Sequence, residues 1–190
     1  MHHRSHPFLH TVAALSLAVG FSLPLAAPLR ADEARVADLL GQLREAEGPM
    51  AARIATEILT EWSKSGSPAI DLLLRRGEDA MEAGDPQAAI EHFTAAIDHD
   101  PDFTSAYYDR ATAYYATGNI GPALDDLREV LARNPDHFQA LPLFAVIIAE
   151  MGREEDALEV FERTLEIYPA DEQAALYAET LARDLEGQVL

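Results

Sequence analysis

A period of 34 residues runs through most of this chain and restricts it to an architecture of stacked, similar units. Pro101, Pro135 and Pro169 stand in one column of that period, Gly84, Gly118 and Gly152 in a second, and Ala89, Ala123 and Ala157 in a third. Phe93, Leu127 and Phe161 form a fourth, and the small residues Gly77, Ala111 and Ala145 a fifth. One unit of this length cannot bury its own apolar face, so neighbours must stack and share an elongated core.

Each unit reads as two helices. In the block from Ile70 to Phe103, Leu73, Leu74, Ala80 and Met81 recur at helical intervals, and Gly84 ends the run where a left-handed residue is needed. Asp85 and Pro86 then form a helix start: an acceptor for free amides, followed by a ring that has no amide to leave unpaired. Ala89, Ile90, Phe93, Ala96 and Ile97 make the apolar stripe of the second helix, which Asp100-Pro101 closes. The small residues let antiparallel helices approach closely, so Gly77 is expected to face Ala89 or its surroundings. Phe93 and Phe161 fill the remaining space as bulky knobs.

These columns resemble the tetratricopeptide repeat (TPR) family. Its large apolar fourth place holds Leu73, Tyr107 and Leu141, and its eleventh place holds Ala80, Tyr114 and Ile148. Thr164 and Phe144 depart from the usual pattern. The resemblance implies an all-α, right-handed solenoid of about nine helices, with repeats over 70–103, 104–137 and 138–171. Counting back one period predicts a degenerate N-terminal repeat over 32–69, with Leu39, Leu43, Ala55, Leu59 and Trp62 near core positions. Residues 172–190 are expected to form a capping helix, with Arg183, Asp184 and Glu186 on its polar face.

In this family the first helix of each pair lines a concave groove that holds a peptide or helix. The resemblance places Asp71, Leu74, Glu78, Met81 and Glu82 there from the first repeat, and Ser105, Tyr108, Thr112, Tyr115 and Ala116 from the second. Gln139, Pro142, Val146, Ala149 and Glu150 follow from the third. Leu74, Tyr108 and Pro142 would form one apolar row, with Met81, Tyr115 and Ala149 a second beside the acids. Relatives that clamp heat-shock chaperone tails carry Lys, Asn and Arg at such places; none stands here, so that activity does not carry over. An aromatic, acid-rimmed groove suits an apolar segment bearing Lys or Arg. The alternative is that Tyr108 and Tyr115 pack against neighbouring helices.

The first thirty-one residues are a separate object. His2, His3, Arg4 and His6 precede an uncharged run from Thr11 to Ala27, and Ala26, Ala27 and Ala31 lead into Asp32-Glu33. That order reads as a secretory signal peptide over 1–31, cleaved near Ala31, with an uncleaved anchor as the alternative. A periplasmic or secreted location is the expectation. The leader holds no acid, so residues 32–190 carry 12 basic and 33 acidic residues, a net charge of −21. Such a surface repels nucleic acid and anionic lipid. The chain has no cysteine, hence neither disulfides nor a lipid-bearing cysteine.

No phosphate loop, zinc helix or nucleophile elbow is present, so no cofactor, resident metal or catalytic residue is assigned and the chain is read as non-enzymatic. His2, His3, His6 and His10 fall in the leader. Asp98, His99, Asp100 and Asp102 straddle the Pro101 break, where acids form turns. The stretch from Trp62 to Pro68 lies outside the repeat pattern. Trp62 reads as a plug in the first interhelical space, with serines capping the next helix, and otherwise as an exposed anchor. Together these features predict a protein-binding scaffold of the bacterial cell envelope. The competing expectation is a homo-oligomeric structural protein that assembles through its end helices without a groove ligand.

Overall fold

A computed structural model of the chain describes residues 32–188; the leader reading, over 1–31, lies outside the described residues. Among those described there are nine α-helices and no strand. They are α1 (Glu33–Glu45), α2 (Gly48–Trp62), α3 (Pro68–Glu82), α4 (Pro86–His99), α5 (Thr104–Ala116), α6 (Ile120–Arg133), α7 (Ala140–Glu150), α8 (Glu154–Ile167) and α9 (Glu172–Gln188).

The turns inside the three pairs α3/α4, α5/α6 and α7/α8 are built alike. Gly84, Gly118 and Gly152 have φ of 74°, 74° and 78°, a region that a side chain would strain. In each, the glycine amide and the next amide bond back to the helix end. Gly84 donates to Met81 and Asp85 to Ala80, and the other two turns repeat this at 2.9–3.0 Å. Two of the last carbonyls, otherwise unpaired, are thereby satisfied. Asp85 caps α4 by accepting from the Ala88 amide, but Asn119 and Arg153 at the equivalent places make no side-chain cap.

Three apolar clusters carry the fold. Ile70, Leu74, Ala89, Phe93 and Ala106 join α3, α4 and α5. Ala111, Leu127, Ala145, Phe161 and Ala178 run from α5 to α9. The small-residue column works as expected in its first member, although the neighbour is the Phe93 ring: a Cβ on Gly77 would lie within 2.7 Å of three of its atoms. Thr164, an outlier in its column, is fully buried because its hydroxyl donates to the Val160 carbonyl one turn back, at 3.0 Å. Helix α9 buries Ala174 and Ala178 but leaves Leu176 and Tyr177 exposed, so its outer face is not purely polar.

The third cluster departs from simple stacking. Helices α1 and α2 form an antiparallel hairpin, as a first repeat would, yet α2 makes no extensive contact with α3. Instead Leu39, Leu43, Ile54 and Ile58 share a core with Phe138, Leu141 and Ile167, so the hairpin sits against the third pair. A local irregularity accompanies this. The period maps Thr104, at the start of α5, onto Phe138, but α7 begins only at Ala140. The link 134–139 therefore stays open, α6 packs less closely on α7 than α4 does on α5, and His137 and Phe138 meet the hairpin. The break at Ser63–Ser67, with Gly66 at φ 75°, lets the chain turn between the hairpin and α3.

Candidate binding groove

The residues placed in the groove by their repeat positions divide into three groups. Tyr108, Tyr115, Gln139, Pro142 and Val146 line one open cavity of about 520 Å³. Leu74 does not belong with them: it is 6% exposed, held in the α3–α5 core, and cannot offer its side chain to a ligand. Met81 packs half-buried against the same core, so the two expected apolar rows are shortened to Tyr108 with Pro142, and Tyr115 beside them. The polar members are engaged or open to water. The Ser105 hydroxyl donates to the Trp62 carbonyl at 2.8 Å, Thr112 donates to the Tyr108 carbonyl, and Asp71 accepts from the Ser65 hydroxyl. Glu78, Glu82 and Glu150 are exposed.

Elements outside the three repeats complete the cavity. Ala55 and Leu59 of α2 form one wall, and Ala174 and Tyr177 of α9 another; Tyr168 and Asp171, at the end of the third repeat, lie between α8 and α9. The period could not indicate the α2 wall, because it predicts stacking of 32–69 on α3. The aromatic character of Tyr168 and Tyr177 was a visible signal. Tyr115 and Glu150 brace each other, the phenol donating to the carboxylate at 2.8 Å. That bond raises the Tyr115 pKa, while burial is the main cause of the rise at Tyr108.

Two features near the groove differ from the reading of the sequence: one was not seen there, and the other lies elsewhere than expected. Asp109 stands beside Tyr108, and its burial, with the nearby Glu78 charge as a second cause, pushes its pKa from 3.8 up to about 7. A raised acid pKa favours the folded state when the group is protonated. This contribution is present below the unfolded value, 3.8, and is lost as pH rises through about 7. The stability of Asp109→Asn relative to wild type is therefore expected to rise between pH 3.8 and about 7 and to stay level above that, in urea unfolding compared across this range. An equal difference at all pH values would contradict this.

The second feature is Trp62. It does not plug a space between the first pairs; its ring stacks on His137 at 4.5 Å and lies 5.3 Å from Phe138, because the hairpin is turned toward the third pair. Ser67 makes no side-chain cap on α3, and Ser65 accepts from the Ser67 amide instead.

Comparison with known proteins bears on this groove. Family models described as tetratricopeptide repeat match residues 80–125 and 108–172. A TPR repeat-containing protein of Rhizobium etli is 37% identical over 154 residues, covering 80% of this chain and 76% of that protein. The chain belongs to the tetratricopeptide repeat family. DnaJ homolog subfamily C member 3 of Mus musculus is 33% identical over 100 residues, which span 53% of this chain but only 20% of that protein. Among solved structures, the first TPR of Spaghetti (RPAP3) bound to an HSP90 peptide, SRMEEVD, superposes with a TM-score of 0.60 at 23% identity, covering 63% of this chain and 95% of that one. MamA protein gives 0.56 at 21%, covering 79% of this chain and 80% of that one. At such identities these likenesses concern the TPR fold.

Proposed function

We propose that this TPR protein is a non-enzymatic scaffold of the bacterial cell envelope whose groove holds an apolar, basic segment of another protein. The observation that carries the reading is the single cavity framed by Tyr108, Tyr115, Pro142 and Val146 with Leu59 and Tyr177. Aromatic and apolar side chains there can exclude water from a partner's side chains, the condition under which a few contacts supply most of the affinity. The RPAP3 domain takes a peptide rich in acidic residues. Here no basic residue lines the cavity, Asp171 lies in its wall and Glu150 is bonded to Tyr115, while Asp71, Glu78 and Glu82 stand on α3 away from it. A like-charged tail is therefore disfavoured and Lys or Arg is favoured. The order of residues in 1–31, which reads as a secretory leader, supports the envelope location.

The test is binding of the chain to an immobilised array of short peptides. Binders are expected to combine apolar with basic residues, and affinity to fall as salt screens the rim. In Tyr108→Ala/Tyr115→Ala, with each truncation costing about 2 kcal/mol, it is expected to drop by roughly a thousandfold. Equal binding by wild type and double variant would overturn the groove.

A second reading draws on α9. Leu176 is 63% and Tyr177 42% exposed at the end of the stack, a surface that a second copy could cover. Concentration-dependent size in light scattering, abolished by Leu176→Ser and untouched by the tyrosine pair, would favour self-assembly.

A further inference from the structure

The α1–α2 hairpin shares an apolar core with Phe138, Leu141 and Ile167, and the end of α2 is fastened beside that core against one buried imidazole. His137 is 3% exposed, under the stacked indole of Trp62 and with the Tyr108 ring centred 5.1 Å away. Its Nδ1 accepts from the Ala140 amide at 3.2 Å, at the start of α7, an amide that also donates to the His137 carbonyl at 2.9 Å. A protonated imidazole has N–H on both nitrogens and cannot accept that bond. Next to the stack, the Trp62 carbonyl accepts from Ser105, so the end of α2 is tied to α5 as well as to the 134–139 link.

The charged groups around His137 come from α1, the hinge, the segment before α5 and the 134–139 link. Glu33 of α1, Lys64 of the hinge and Asp102 before α5 line, with His137 and Trp62, a small cavity of about 210 Å³. Asp136 is adjacent but is committed to Arg44 of α1 and Arg163 of α8. Tyr108 is the titratable group that α5 contributes.

We propose that the α1–α2 hairpin is a clasp at the edge of the groove, and that it lets go when His137 takes up a proton. Burial, partly opposed by a hydrogen bond to its own backbone, holds the imidazole pKa down from 6.5 to about 4 while the hairpin is seated. Once the hairpin lifts, His137 meets water and regains its ordinary basicity, so the released state binds the extra proton. The seated state is fully favoured above pH 6.5 and loses ground as pH falls toward about 4. Asp109 titrates with the opposite sign and favours the folded state on acidification. Release removes the α2 wall, uncovering Tyr108 and Phe138 and widening the cavity along the side now closed by Ala55 and Leu59. The hinge at Ser63–Ser67 and the weak packing of α2 on α3 permit this with the other pairs intact. The clasp stands whether or not the groove takes a peptide.

Trp62 is the chain's single tryptophan, which makes its emission a direct reporter. The chain is titrated from neutral to acid while indole emission, iodide quenching and far-UV circular dichroism are followed on the same samples. The expected result is a one-proton red shift of the emission with rising quencher access between pH 6.5 and about 4, with the helical signal retained. His137→Phe keeps a stacking ring without a titrating group, and His137→Asn keeps an acceptor for the Ala140 amide; both are expected to lose the step. Emission that changes only when helicity collapses, or a step that persists in either folded variant, would overturn the clasp.

Discussion

Phe93→Ala is expected to lower the unfolding free energy by about 3–5 kcal/mol, the range for removing a fully buried aromatic ring. Phe93 is 1% exposed and lies in the cluster that joins α3, α4 and α5, so its loss leaves a cavity between two pairs. The partner of this ring is an absence: Gly77 has no Cβ, and one placed there would fall within 2.7 Å of the ring. That makes the sign of a second substitution informative. Gly77→Ala gains about 1 kcal/mol of helix propensity, yet overpacking a fixed core costs about 1–3 kcal/mol. In wild type it is expected to destabilise. In the Phe93→Ala background the clash is gone, and the same change is expected to stabilise. Urea unfolding of the four proteins, followed by circular dichroism, closes this cycle. A stabilising Gly77→Ala in wild type would show that the two positions are not in contact.

Arg110→Met is expected to cost about 3–5 kcal/mol, the penalty for leaving a buried charge without its partner. The Arg110 guanidinium donates to both oxygens of Asp126 at 2.8 Å, and its remaining nitrogen donates to the Thr94 hydroxyl at 3.1 Å. It lies 5.6 and 5.7 Å from the rings of Tyr107 and Tyr114. One side chain thus ties α5 to α4 and α6, and Asp126 is only 6% exposed. With Arg110 replaced, the carboxylate has neither water nor cation. Removing both charges in Arg110→Met/Asp126→Leu is expected to recover most of the loss, since a buried ion pair and an apolar pair of similar volume differ little in net stability. The single loss should vary little with salt, because the pair is shielded from solvent. A double variant no more stable than Arg110→Met would refute the unpaired-charge explanation. Calorimetric melts resolve the difference, at roughly 2–4 °C per kcal/mol for a chain of this size.

Much of the groove was legible because repeat position determines direction. Tyr108, Tyr115, Gln139, Pro142 and Val146 occupy the expected places and do share a cavity. Leu74 occupies such a place too and is buried. It lies where α3 packs tightly on α4, in the cluster that extends to α5, and no preceding pair is stacked closely on α3. Arg110 and Asp126 escaped notice altogether. They lie on different helices, and no periodicity marks a charge whose partner is sixteen residues away.

The all-α solenoid, the pairing of helices within each period and the positions of the glycine turns were determined by the sequence alone. All of these depend on residues close along the chain: apolar spacing at helical intervals, a left-handed glycine, a proline that ends a helix. Only the tertiary structure decided where the N-terminal hairpin goes. Its apolar face would satisfy burial against α3 or against Phe138, Leu141 and Ile167 equally well as a pattern. The hydrophobic effect is non-directional, so it specifies that such a face be covered and not by which surface. Here the late start of α7 leaves Phe138 and His137 at an open edge, and the turn at Gly66 brings Trp62 onto it.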